Sequence, residues 1–163
     1  VTLSTLVVGQ APAKASEQNW VALDPRSASG RRLAAYAGLD PHEMHLRADF
    51  VNLLSWFPGR VNDGDKYDAF DTATARQLAR MMVPRLWEYR RVVFLGRAVS
   101  DAFTAVTDLP RLDWFEPHYL YAGTIVYASP HPAGTSMFWN DPVARAAGEA
   151  FWRSVLAAPE KSS

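Results

Sequence analysis

A chain of 163 residues fits one domain, 1–163, long enough to bury about two-thirds of the surface its unfolded form exposes. Its 17 basic and 17 acidic side chains cancel, so no global field holds nucleic acid, and any such binding needs a local basic patch. The absence of cysteine excludes disulfides, thiolate zinc sites, iron–sulfur clusters and cysteine nucleophiles.

The apolar share of 48% and the charged share of 21% are those of a soluble globular fold. No apolar run approaches the roughly 18 residues that a membrane span requires. Val1-Thr2-Leu3 lacks the basic and apolar regions of a signal peptide, so a cytoplasmic location is expected. There is no internal repeat and no low-complexity stretch.

Leu3 to Val8 is a short apolar run that breaks at Gly9-Gln10-Ala11-Pro12, the pattern of a buried strand ending in a tight turn. Gly9 allows backbone to approach a ligand, Pro12 stiffens the turn, and Gln10 supplies a donor and an acceptor where the strand stops. Residues 15–29 read as a loop anchored by Trp20 and Leu23. Ser29 reads as the N-cap of a helix bearing Leu33, Tyr36 and Ala37, with Gly38 as its stop. Asp40-Pro41 opens a second helix.

Asp49 to Leu54 is expected as a second strand, and residues 59–69 as an exposed loop. From Thr72 to Trp87 the apolar positions Ala75, Leu78, Ala79, Met82 and Leu86 trace one helical face, which Pro84 kinks or shortens. Arg91 to Gly96 is the clearest strand, followed by a helix bearing Val99, Phe103 and Val106. Residues 107–120 read as irregular. Gly123 to Ala128 is the last strand, running into Ser129-Pro130-His131-Pro132-Ala133-Gly134, and Asp141-Pro142 opens the closing helix.

This alternation predicts an α/β fold, a three-layer α/β/α sandwich around a central, mainly parallel four-stranded sheet. In such a sheet the carboxyl ends of the strands share one edge, where ligands bind. Gln10, Asn52 and His131 all fall at those ends.

Three segments carry a family resemblance. They are Gly9-Gln10-Ala11-Pro12, Asn52 followed by Trp56-Phe57-Pro58-Gly59-Arg60, and His131-Pro132-Ala133-Gly134. In order, spacing and strand-end position the trio resembles the uracil-DNA glycosylase superfamily. Ser29-Gly30-Arg31-Arg32-Leu33 and Val93-Phe94-Leu95-Gly96-Arg97 are similar to its first helix and third strand, so the likeness runs from about Leu3 to Trp152.

The resemblance implies a monomeric enzyme without metal or cofactor, which takes uracil or a related modified pyrimidine flipped out of DNA and hydrolyses its N-glycosidic bond. Flipping costs a few kcal/mol, offset by contacts to the base and to phosphates. Asn52 matches the asparagine that reads the pyrimidine edge, and His131 the histidine that faces O2 as charge grows there. Gln10, with the backbone of Gly9, Ala11 and Pro12, would position water and sugar. Trp20, Trp56 and Phe57 are the candidates to stack on the base, worth roughly 1–3 kcal/mol, and each also suits a core. Pro130, Pro132 and Gly134 would press on the DNA backbone, with Met137, Phe138 or Trp139 as a wedge. Arg60, with Lys66, Arg31 and Arg32, would meet phosphates.

The chain departs from the family pattern at Ala11, where many members carry an Asp or Asn that activates or orients water. Gln10 stands where the iron–sulfur branch places a catalytic Glu, and the cysteines of that cluster are missing. Glu17 and Asp24 are the nearest carboxylates, and neither aligns with the missing group. Two further readings therefore stay open: a non-catalytic DNA-binding or damage-recognising module, and a hydrolase or transferase acting on free nucleosides or nucleotides. His42 and His45 flank Glu43 on a helix, but no third metal ligand accompanies them.

Overall fold

The apolar runs that read as strands near residues 5, 91 and 125 lie side by side in one sheet. The computed structural model describes residues 4–11, 22–54, 71–120, 123–133 and 136–158. Its elements are β1 (Thr5–Gly9), α1 (Ala28–Ala37), α2 (Pro41–Arg47), β2 (Asp49–Asn52), α3 (Thr72–Leu86), β3 (Arg91–Leu95), α4 (Arg97–Thr104), β4 (His118–Tyr119), β5 (Ile125–Ser129), a 3₁₀ turn (Met137–Asn140) and α5 (Pro142–Val155).

The sheet has the order β2-β1-β3-β5-β4. The four expected strands are parallel, and a fifth, two-residue strand, β4, adds itself antiparallel to the edge at β5. β4 falls inside the stretch that reads as irregular, because two residues carry no alternation to detect.

Both faces of the sheet are covered. Leu6, Val8, Val92, Phe94, Val126 and Ala128 face α3 and α4, meeting Ala75, Ala79, Leu86, Val99 and Phe103. Val7, Phe50, Val93 and Leu95 face the other way, onto Leu33, Ala37 and Met44 from α1 and α2, and Trp152 and Val155 from α5. The period of two along β1 and β3 thus divides the core into two apolar layers. Among the described residues, no helix is long and apolar enough to cross a membrane.

The caps follow local chemistry with one correction. Asp40 accepts from His42 N–H with Pro41 in the first turn, Asp141 accepts from Ala144 N–H ahead of Pro142, and Gly38 closes α1 at φ 71°. The cap of α1 is Ser27, not Ser29. The Ser27 hydroxyl accepts from Gly30 N–H at 2.9 Å and donates to the Asp24 carbonyl at 2.7 Å. A Cβ on Gly30 would lie 2.3 Å from that carbonyl, so the preceding turn crosses the helix start at this glycine and draws the cap two residues earlier. Pro84 is accommodated within α3, which continues to Leu86. Pro84 and Arg80 are both exposed, so the carbonyl that proline leaves without an N–H is on the solvent side.

Candidate active site

Four parallel strands deliver their carboxyl ends to one edge. The register pairs Gly9 with Asn52, Val8 with Phe94, and Leu95 with Ser129, so the strands finish nearly level. β1 leads towards β2 on one side, and β3 leads towards β5 on the other, which makes the β1–β3 boundary the topological switch point of the sheet. Gln10 follows β1 at that boundary and His131 follows β5. At the usual strand spacing, β2 and β5 lie about 14 Å apart.

Asn52 and Gly9 fit together tightly. A Cβ on Gly9 would stand 2.8 Å from Asn52 Oδ1 and 3.1 Å from Ala22 Cβ. The pairing continues past the strands, with Leu53 N–H donating to the Gly9 carbonyl at 2.8 Å and Leu54 N–H to the Gln10 carbonyl at 2.9 Å. Gln10 is thus held by its backbone. Its side-chain amide, like the buried carboxamide of Asn52, has no hydrogen-bond partner among the described residues. Ala11 is partly exposed beside them and brings no polar group.

His131 is partly exposed, between buried Pro130 and Pro132. Ala133 N–H donates to His131 Nδ1 at 3.0 Å, so Nδ1 carries the lone pair and the proton resides on Nε2. Burial of the imidazole pushes its pKa down to about 4, so the ring is neutral at pH 7. Proline at 132 has no N–H and restricts His131 to extended backbone, which leaves the Ala133 amide as the donor within reach of Nδ1. Gly96, at φ 87°, donates its N–H to the Ser129 carbonyl at 2.7 Å and ties β3 to the base of the His131 turn. His131 is therefore a neutral, fixed N–H donor at the sheet edge, suited to an acceptor oxygen that gains negative charge.

Trp139 is buried and stacked on Tyr36 with ring centroids 4.2 Å apart, so it is a packing residue and not a wedge. Phe138 is partly buried against Phe115, whereas Met137 is 76% exposed and remains available as a wedge. Arg31 and Arg32 are exposed on α1. The Asp24 carboxylate is buried and accepts the Arg26 backbone N–H at 2.8 Å and its guanidinium at 3.0 Å, a structural role that does not suit a base. His45 Nε2 donates to the Leu23 carbonyl at 2.7 Å and its ring lies against Phe50; no metal-holding group of side chains occurs among the described residues. Pro12, Glu17, Trp20, Trp56, Phe57, Arg60, Lys66 and Gly134 lie outside the described residues.

The supports of His131 escape sequence reasoning. Gly96, Trp139, Trp152 and the Ala133 amide act through contacts between distant segments, and nothing in their one-dimensional pattern separates them from ordinary core or loop residues. No protein-family model matches the sequence. A search of curated proteins likewise finds no similar sequence.

Proposed function

We propose that the protein is a DNA glycosylase that excises uracil or a related modified pyrimidine from DNA by hydrolysis. The observation that carries this reading is His131, a neutral imidazole with its proton on Nε2, at the edge that also holds Asn52 and Gln10. In the proposed reaction the C1′–N1 bond breaks and its electron pair passes to the base, with negative charge building on O2. His131 Nε2–H hydrogen-bonds that oxygen without giving up its proton. Asn52 pairs with the polar edge of the base through its donor and acceptor. Gln10 and the neighbouring backbone hold the water that adds to C1′ and loses its proton to solvent or to the departing base.

Bond breaking in this scheme runs ahead of water attack, so a site with alanine at position 11 still functions, at a reduced rate. Arg60, Pro130, Pro132 and Gly134 are assigned to the DNA backbone, and Trp20, Trp56 and Phe57 to stacking. We take the protein as a cytoplasmic monomer, which the cysteine-free sequence suits. The test is incubation with oligonucleotides carrying uracil and other modified pyrimidines, followed by alkaline cleavage at abasic sites. Release by the wild type and its loss in His131→Ala are expected; no abasic product from any substrate overturns the reading.

A second reading is favoured by the absence of a carboxylate at Ala11 together with the engagement of Asp24 by Arg26. It is a DNA-binding module that recognises a damaged base without turnover. Salt-sensitive binding to DNA with no abasic product distinguishes it.

A further inference from the structure

The turn that carries His131 is braced from the helical layer by two indole N–H groups. Trp152 on α5 donates to Ser129 Oγ at 3.1 Å, and that hydroxyl donates to the Pro130 carbonyl at 3.1 Å. Trp139 in the 3₁₀ turn donates to the His131 carbonyl itself at 2.9 Å. The Trp139 ring has little freedom. It stacks on Tyr36 of α1 at an interplanar angle of 13°, and a Cβ on Gly148 of α5 would meet its Cζ3 and Cη2 at 2.4 and 2.7 Å. The Arg145 guanidinium lies 5.2 Å from the centroid of the Tyr36 ring and weights the same stack.

The His131 carbonyl belongs to the peptide plane that leads into Pro132. Holding that oxygen orients the plane, and the fixed φ of proline removes one of the two rotations between it and the next amide, Ala133 N–H, leaving ψ of Pro132 as the other. That amide selects between the two imidazole tautomers, because only a ring with an unprotonated Nδ1 can accept from it. We infer that Trp139 is a positioning residue for His131: it holds the Ala133 N–H on Nδ1 and so keeps the proton on Nε2. It acts through the backbone and touches no reacting atom. Its effect on the tautomer is independent of what the protein catalyses, whereas its effect on turnover rests on the glycosylase reading.

The experiment uses the full chain with ¹⁵N-labelled histidine and reads the His131 ring nitrogens in two-bond ¹H–¹⁵N correlation spectra at neutral pH. Trp139→Phe keeps an aromatic ring on Tyr36 and removes the donor. Gly148→Ala leaves the donor in place and displaces the ring. Wild type is expected in the Nε2–H form. Each variant, with its circular dichroism unchanged, is expected to show a new Nδ1–H population. Excision by the variants falls roughly two- to tenfold in kcat, the worth of one neutral hydrogen bond, with KM little changed. If one variant does not fold, the other carries the test. A folded variant that keeps His131 wholly in the Nε2–H form overturns the inference. A tautomer shift in a protein that releases no base upholds it and rejects the glycosylase reading instead.

Discussion

Asn52 Oδ1 lies 2.8 Å from the point that a Cβ on Gly9 would occupy, so these paired strand ends fit only because residue 9 has no side chain. Ala22 closes the same space from the loop side at 3.1 Å. Gly9→Ala must therefore push the Asn52 carboxamide aside or shift the backbone of residue 22. The expected cost is about 1–3 kcal/mol of stability, seen as a lower denaturant midpoint. KM for a base-containing oligonucleotide is expected to rise more than kcat falls, since the displaced group is the one assigned to reading the base.

Removing either polar side chain at the edge separates site from scaffold. His131→Ala is expected to lower kcat for base release by about 10²–10³, the usual cost of one lost oxyanion donor. Asn52→Ala is expected to weaken discrimination between pyrimidines. Both variants should melt within a few degrees of wild type, because neither side chain bonds to another side chain of the described core.

The buried imidazole sets a pH dependence with a definite sign. His131 titrates near 4 in the fold, against an ordinary value of 6.5. Above pH 6.5 it is neutral folded and unfolded, and its contribution to stability is complete. As pH falls from 6.5 to 4 the unfolded chain takes up a proton that the folded one refuses, so stability drops by up to about 3 kcal/mol. Base release should be flat from about pH 8 to pH 5 as far as this group is concerned, and fall only near pH 4. Urea titrations and initial rates across this range, compared with His131→Gln, check both statements.

Ala11 invites a gain of function. It follows Gln10 at the switch point of the sheet and is partly exposed. Ala11→Asp is expected to raise single-turnover base release by about 10²-fold, the low end of general-base assistance. Unchanged turnover in a folded Ala11→Asp variant assigns the limiting step to base departure alone.

Much of the scaffold was legible in the sequence, and the reasons are local. Arg91 to Leu95 is an apolar run too short for a helix, Asp40-Pro41 and Asp141-Pro142 are complete caps, and Gly38 is a stop that only a left-handed residue makes. The shared edge of Gln10, Asn52 and His131 follows from the parallel topology that such alternation implies. What stayed hidden depends on tertiary approach. Ser29 reads as the cap of α1, and Ser27 takes that place only because the 22–27 turn crosses Gly30. Trp139 reads as a wedge until Tyr36 is found beneath it. The tautomer of His131 is written in no side chain at all, since it depends on the backbone amide of Ala133.

The central place of β1 has a consequence for how the protein comes into being. Its hydrogen-bonded partners are Asp49–Asn52 on one side and Arg91–Leu95 on the other, and the turn bearing His131 is reached only through β5. Gly9 and His131 share one edge of the sheet although more than a hundred residues of chain lie between them. Such long-range closure is slow and leaves little room for partly assembled forms that work. A nascent chain holds Gly9 and Asn52 long before β5 and the bracing α5 have been synthesised, so it lacks the His131 donor. Loss of the His131 ring signature and loss of secondary structure in denaturant should accordingly share one midpoint. Here the edge that holds the three side chains is complete only when the whole sheet is.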